Sequence, residues 1–412
     1  MDKKDDRVFD ITSGVKWIGV LDYDIKTFDI VMHTEYGTTY NSYFINARKK
    51  ALIEVAKEKF SGTYLKKLRS LTNPADISYI ILDHTEPDHS GSLKQILELA
   101  PSATVVGSGN AIRYLEDMLN MTFKSQVVKD GDTIDLGDRT LKFISAPNLH
   151  WPDSIYTYLE EEKILFTCDS FGAHYCTYEM KDELTEDYLK AHKYYFEVIL
   201  RPFSRFMLKA IERIKSLDIE YICPGHGPIL SENRKHIISL TEKYANDYIR
   251  ISNVQAKRHV LIAYVSAYGY TKKAAEIIGA AIMESGSFTT DIVDIEHLTP
   301  AEMESYMILS DALLVGSPTI NQNTLGPVLT LFSVINPIRD KGKLAGSFGS
   351  YGWSGEAPKI IIENLKNLKL KILEEPAAFK FLPSGKKEEM LKEFGRRFAV
   401  KFEEECMQKE RG

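Results

Sequence analysis

The chain is poor in cysteine: only Cys168, Cys176, Cys223 and Cys406 occur in 412 residues. No two of them have C-x-x-C spacing, which argues against a zinc knuckle, a rubredoxin-type iron site or a redox disulfide. Such sparing use fits a reducing cytoplasm. Long apolar runs are missing too, so no membrane span is expected. The opening Met-Asp-Lys-Lys-Asp-Asp has no apolar stretch behind it, so no signal peptide is expected. Positive charge is in deficit: the net charge is −6, which argues against nucleic acid as a partner. The chain has no internal repeat and no low-complexity linker. What remains is ordinary globular composition, 44% hydrophobic and 27% charged. At this length two domains are expected.

The patterning supports that division. Residues 8 to 60 are β-rich, with Val-Lys-Trp-Ile-Gly-Val and Thr-Thr-Tyr-Asn-Ser-Tyr-Phe-Ile alternating like half-buried strands. Residues 77–82 form an apolar run typical of a strand buried on both faces. A helix is predicted over 92–100 and a strand over 103–106. Hairpins are predicted over 132–145 and 154–167. Residues 184–217 read as helix broken near Pro202, followed by a strand over 219–223 and a helix over 233–251. Near residue 254 the rhythm changes to regular strand–helix alternation. Strands are predicted at 259–265, 291–295, 312–316 and 343–348, with helices at 272–284, 325–334, 358–368 and 387–405. This order predicts a doubly wound parallel sheet. The expected domains are 1–253 and 254–412, joined around Ser252 to Lys257.

One short run carries most of the chemistry. His84-Thr-Glu86-Pro-Asp88-His89 gathers two imidazoles and two carboxylates within six residues. Buried at a strand end, they would repel one another or be costly without a cation. Three further candidate ligands follow: His150 in Leu-His-Trp-Pro-Asp, Asp169 in Phe-Thr-Cys-Asp-Ser, and His226 in Pro-Gly-His-Gly-Pro. Seven ligands suffice for two metals that share one carboxylate, and Asp169 is the natural bridge. Four histidines with three carboxylates suit iron or manganese better than zinc. A lone histidine is most simply a satisfied core or surface group, and His33, His192, His236, His259 and His297 take that reading.

The first domain resembles the metallo-β-lactamase fold, an αββα sandwich. Its His-x-Glu-x-Asp-His variant resembles that of flavodiiron proteins. Glu86 is the departure from the hydrolase pattern, which has histidine there. The resemblance covers nearly the whole chain and implies a flavodoxin-like second domain. It implies one iron on His84, Glu86 and His150, a second on Asp88, His89 and His226, and Asp169 between them. His174 and Tyr195 lie in segments similar to those that approach the irons in the family.

Three loops of the second domain point to a flavin. Ser266-Ala-Tyr-Gly269-Tyr270-Thr271 follows a strand and opens a helix, a place for a phosphate. The flavodoxin pattern has small hydroxyl residues at its first, third and last positions. Here Ser266 and Thr271 keep it, while Tyr268 replaces the third. Gly316-Ser317-Pro318-Thr319-Ile-Asn321 and Gly349-Ser350-Tyr351-Gly352-Trp353-Ser-Gly355 also follow strands, where ligands sit in such sheets. An aromatic among glycines can stack on an isoalloxazine ring while backbone meets its edge. FMN is therefore the expected cofactor, and no full dinucleotide fingerprint supports NAD.

The resemblance implies electron flow from a donor through FMN to a diiron site that reduces dioxygen to water. Some members also reduce nitric oxide to nitrous oxide. With no rubredoxin module in the sequence, the expected donor is a separate rubredoxin or the reduced deazaflavin coenzyme. Family members pair head to tail, so a homodimer or a dimer of dimers is expected. Two other classes compete: a two-zinc hydrolase fused to a flavodoxin-like module, and an electron carrier with a degenerate metal domain. Glu86 and the flavin loops count against the first. The full set of seven ligands counts against the second.

Overall fold

A computed structural model describes residues 7–29, 32–254, 258–286, 288–373 and 375–411. It divides into two compact units, Met1–Tyr248 and Ile249–Gly412. The helix Arg234–Val254 runs across that division. Of the expected linker, residues 255–257 lie outside the described residues.

The first unit is built on two facing sheets. The larger has the order Phe9–Asp10, Val15–Trp17, Tyr43–Ile45, Lys50–Ile53, Ile77–Ile81, Thr104–Gly107, Lys124–Val127. The other has the order Thr133–Asp135, Thr140–Ser145, Ile155–Leu159, Ile164–Cys168, Tyr221–Pro224. Trp17, Tyr43, Ile53 and Val106 from one sheet meet Phe143, Leu159 and Phe166 from the other in one apolar core. The outer face of the first sheet packs with Tyr64, Leu68, Ile96 and Leu115 of three helices. That of the second packs with Tyr188, Met207, Ile211 and Ile237. The result is the expected αββα layering. Central strands are covered on both faces, which explains why Ile77–Ile81 reads as a continuous apolar run; Ile164–Cys168, expected as half of an alternating hairpin, is likewise buried throughout.

The second unit is a parallel sheet in the order Thr289–Asp294, His259–Tyr264, Ala312–Gly316, Leu344–Tyr351, Lys371–Ile372. Helices Tyr270–Glu284 and Lys386–Arg411 cover one face, burying Ile278, Phe394 and Phe398. Helices Pro300–Leu309, Gly326–Val334 and Ala357–Asn367 cover the other, burying Met307, Leu331 and Ile361. The chain winds outward in opposite directions from His259–Tyr264 and Ala312–Gly316, so a ligand crevice is expected at the carboxyl ends of those strands.

Two differences from the sequence reading bear on function. Helices Ser61–Leu71, Gly109–Leu119 and Pro300–Leu309 are additional to the expected elements, although Ile112, Leu115 and Leu119 stand at helical spacing in the second of them. The strand predicted over 343–348 extends to Tyr351, because Phe348 to Tyr351 pair with the strand Ala377–Lys380. Gly349, Ser350 and Tyr351 therefore belong to a strand end rather than a free loop.

Candidate metal centre and flavin loops

The run 84–89 sits directly after the buried strand Ile77–Ile81, and Pro87 opens the short turn of helix Pro87–Ser90. Pro is suited there, since its missing N–H would be unsatisfied at a helix start anyway. His150, Asp169 and His226 arrive from loops next to strands of the second sheet. All seven candidate ligands converge, in two groups. His84, Glu86, His150 and Asp169 bring one atom each to within 4.8 Å of one another, and so do Asp88, His89 and His226.

Asp169 lies between the groups. Its Oδ2 is 3.6 Å from His84 Nε2 and 3.5 Å from His150 Nε2. Its Oδ1 is 3.2 Å from His89 Nε2 and 3.7 Å from His226 Nε2. Glu86 Oε2 is 3.2 Å from His84 Nε2 and 3.0 Å from His150 Nε2. Asp88 Oδ2 stands in the same relation to His226 Nε2, at 3.0 Å, and His89 Nε2, at 3.4 Å. Nitrogen and oxygen atoms at these separations can share one cation, since ligand bonds to such metals are about 2.0–2.2 Å long.

Titration directions agree with a charge-dense site. Burial alone would lower His84, but hydrogen bonds to Asp153 and Glu86, with the charge of Asp169, hold it well above the usual imidazole range. Burial would raise Asp169, yet His89, His84 and His150 hold it well below the carboxylate range.

A surrounding layer fixes these rings. Both Asp153 oxygens are 3.1 Å from His84 Nδ1, and Asp153 also accepts from the Thr85 N–H and hydroxyl. His226 Nδ1–H donates to the Thr39 carbonyl at 2.6 Å. Tyr195 Oη donates to Asp169 Oδ1 at 2.9 Å. Burial and the Asp169 charge push this phenol well up, so it stays a donor. His174 Nδ1 is 2.8 Å from Thr38 Oγ1, and its ring stacks on Phe28. Burial and the neighbouring His226 hold His174 well below the usual range. Asp29 is surface-exposed but interacts with Glu86, and partial loss of solvation with that charge pushes its carboxyl up to about 6. Asp153, Thr38, Thr39, Phe28 and Asp29 are not singled out by the sequence. Only Asp153 carried a signal, as the last residue of the His150 motif.

The flavin loops gather at one end of the second unit's sheet. Gly269 caps helix Tyr270–Glu284 with φ of 79° and offers no side chain of its own to the Tyr270 and Thr271 N–H groups, the first of the helix and those best placed for a ligand. Ser266 Oγ accepts from Lys272 N–H at 3.2 Å, shaping the loop around that turn. Thr271 is buried, its hydroxyl 2.9 Å from that of Ser350, so the first and third loops are tied together. Thr319 N–H donates to Ser350 O, and Ala357 N–H donates to Thr319 Oγ1, tying the second loop to the third. Ser317 Oγ turns to its own backbone, donating to Pro318 O and accepting from Leu325 N–H. Asn321 takes a left-handed φ of 53°. Gly355 lies against the Tyr351 ring, where a Cβ would come within 3.0 Å. Trp353 and Tyr268 stand 88% and 82% exposed. Tyr270, by contrast, is half-buried and packs on the apolar core. Phe381, which the sequence does not single out, lies beside Gly352, and its N–H donates to Tyr351 O.

Known proteins match both units. Residues 38–227 match the ODP family of β-lactamases, and residues 262–394 match flavodoxin. Flavo-diiron protein FprA2 of Clostridium acetobutylicum is 37% identical over 396 residues, covering 94% of this chain and 98% of the relative. The chain belongs to the flavodiiron protein family. A nitric oxide reductase of Moorella thermoacetica is 33% identical over 399 residues, 95% of this flavodiiron protein and 98% of the relative. The structure of rubredoxin oxygen:oxidoreductase from Desulfovibrio gigas superposes with a TM-score of 0.66 at 27% identity, over 97% of this chain and 99% of that one.

The family's cofactors are FMN and a pair of irons, and the residues present fit both. Both Asp88 oxygens and Asp169 Oδ2 are buried and make no hydrogen bond among the described residues. Orphaned carboxylate oxygens of this kind are costly unless a cation satisfies them. In the second unit the helix start at Gly269 suits a phosphate, with Ser266 Oγ capping Lys272 N–H beside it, and the exposed Trp353 and Tyr268 suit a flat ring. This flavodiiron protein is an oxidoreductase of the oxygen- or nitric-oxide-reducing type. Among the described residues, no helix is long and apolar enough to cross a membrane.

Proposed function

We propose that this protein is a terminal gas reductase that converts dioxygen to water with electrons from a separate donor. The observation that carries the reading is Asp169, whose two oxygens face opposite pairs of histidines. On this reading His84, Glu86 and His150 hold one iron, Asp88, His89 and His226 hold the other, and Asp169 joins them. When bound, FMN relays electrons and the two irons supply the redox centre for the gas.

The protein's own side chains do the rest. Asp153 and the Thr39 carbonyl fix the tautomers of His84 and His226, presenting Nε2 inward. Tyr195 holds a proton at Oη beside Asp169 Oδ1, next to the place where reduction consumes protons. His174 presents an Nε2 that has no partner among the described residues and that, in the neutral ring, donates or accepts a hydrogen bond according to which way Thr38 Oγ1 engages Nδ1. His150 and Glu86 are the least buried of the seven, 22% and 14% exposed, which puts the gas entry on their side. Ser266, Gly269 and Thr271 form the phosphate end of the FMN site, with Ser317, Thr319 and Asn321 beside it. Tyr351, Gly352 and Trp353 form the ring end.

Nitric oxide is the second substrate, favoured by the match to a protein named nitric oxide reductase. Rubredoxin is the first donor to try, on the name of the Desulfovibrio gigas structure, and reduced deazaflavin coenzyme is the second. A head-to-tail homodimer or dimer of dimers, in a reducing cytoplasm, completes the proposal.

The test is uptake of each gas by protein with quantified iron and FMN, using each donor in turn. Rapid uptake without peroxide is expected, and no uptake of either gas at full cofactor occupancy overturns the reading. Asp169→Asn is expected to lose iron and gas turnover together. Unchanged iron content in that variant overturns the bridging role.

A further inference from the structure

Glu54 is a buried carboxylate that the proposed chemistry does not use. It follows the strand Lys50–Ile53, takes a left-handed φ of 55°, and is 1% exposed. A non-glycine residue in that region is strained and persists only where its surroundings demand it. One Glu54 oxygen is engaged: Oε1 accepts from the backbone N–H of Asp83 at 2.7 Å and of His84 at 3.3 Å. The other, Oε2, is buried without a hydrogen-bond partner among the described residues. His89 Nδ1 is in the same condition. One oxygen of Glu54, one ring nitrogen of His89 and Cys168 Sγ lie within 4.8 Å of one another.

The His89 ring is oriented by its surroundings. Its Nε2 faces Asp88 and Asp169. Its Cε1–Nδ1 edge faces Gly225, where a Cβ would come within 2.5 Å of Cε1 and 3.1 Å of Nδ1. A neutral imidazole that offers Nε2 to a cation carries its proton on Nδ1, and that N–H needs an acceptor. A carboxylate oxygen is a far better acceptor than a thiol. The neighbouring residue adds to the hold, since Val55 N–H donates to the His89 carbonyl at 2.9 Å.

We infer that Glu54 is a positioning residue that accepts a hydrogen bond from His89 Nδ1–H and clamps the two halves of the metal centre together. One end of the clamp fixes the backbone entering His84, in the first ligand group. The other fixes the His89 ring, in the second. The inference rests on the diiron reading above. Metal-ligating histidines commonly donate their second nitrogen to a carboxylate, and losing that partner costs about 10–100-fold in metal affinity.

Glu54→Gln is the informative change. A glutamine fills the same space and can keep the backbone N–H groups on its oxygen, but then its NH2 faces His89 N–H. Full-length protein, loaded with iron and FMN, is challenged with a chelator and release of each iron is timed. In Glu54→Gln one iron is expected to leave about 10–100-fold faster than in the unmutated protein, with FMN retained, while Cys168→Ala releases both at unmutated rates. Release from Glu54→Gln at unmutated rates overturns the inference alone, as does acceleration by Cys168→Ala only. An unmutated chain that binds no iron overturns it together with the diiron reading. Should the variant not fold, iron-shifted imidazole N–H resonances of the unmutated ferrous protein decide. Three should survive transfer to D2O, from His84, His226 and His89. Survival of only two overturns the clamp.

Discussion

At the scale of single residues, the site depends on hydrogen bonds to charged groups buried beside it. Tyr195 donates to Asp169 across 26 positions of sequence. Tyr195→Phe is expected to keep both irons while turnover falls about tenfold, since hydrogen bonds to charged groups contribute about 1.5–3 kcal/mol. Iron analysis beside single-turnover kinetics checks this, and full turnover would remove Tyr195 from the mechanism. His192 stands one layer further out. Its Nδ1–H donates to Gly172 O, and its Nε2 is 3.2 Å from Thr241 Oγ1. Burial pushes its pKa down to about 4. The unfolded chain therefore binds the extra proton first, and the stability His192 supports is lost as pH falls from about 6.5 towards 4. That lowering corresponds to roughly 3 kcal/mol. His192→Gln should flatten the pH dependence of the denaturation midpoint across that window, and an unaltered slope would contradict the assignment. These contacts make His192 a satisfied core group, as expected of a lone histidine.

At the scale of elements, legibility followed distance along the chain. The candidate ligand run 84–89 is readable because four potential metal-binding groups crowd into six residues. Glu54, Thr38 and Thr39 are not, because they meet the ligands only after the two sheets have stacked. Helix Ser61–Leu71 keeps Tyr64, Leu68 and Leu71 at helical spacing but also buries Lys67, a charge that reads as a surface residue. The side chain keeps that place because Lys67 Nζ reaches the Gly19 carbonyl and lies over the Trp17 ring. Helix Pro300–Leu309 is different: Thr299 and Glu302 form a capping box that local reading could have found. The extension of strand Leu344–Tyr351 was unreadable, since it depends on pairing with Ala377–Lys380. On its other side this strand passes close to Ser317, which makes Gly349 critical. A Cβ there would come within 2.1 Å of the Ser317 carbonyl, backbone that cannot swing away. Gly349→Ala should cost about 1–3 kcal/mol through overpacking and weaken FMN binding. Flavin titration with a melting curve tests both, and unaltered flavin affinity would show that the loops tolerate the shift.

At the scale of the whole molecule, the two units have separate apolar cores and separate cofactor sites. Each ligand should stabilise only the unit that binds it. Calorimetry is expected to show two transitions, with added FMN raising one and iron raising the other. A single transition that moves with either ligand would contradict independent cores. The metal centre has a further consequence in time. His84 and His226 are separated by 142 positions, which a ribosome working at about 5–20 residues per second spans in roughly 7 to 30 s. During that interval a nascent chain exposes His84, Glu86, Asp88 and His89 without the strand that delivers His226. On the proposed assignment, capture of a second iron would wait for Tyr221–Pro224 to lie down beside Ile164–Cys168. Loading of the full candidate set is therefore expected only after the chain has grown past His226, and a chain short of iron would carry its buried carboxylates uncompensated.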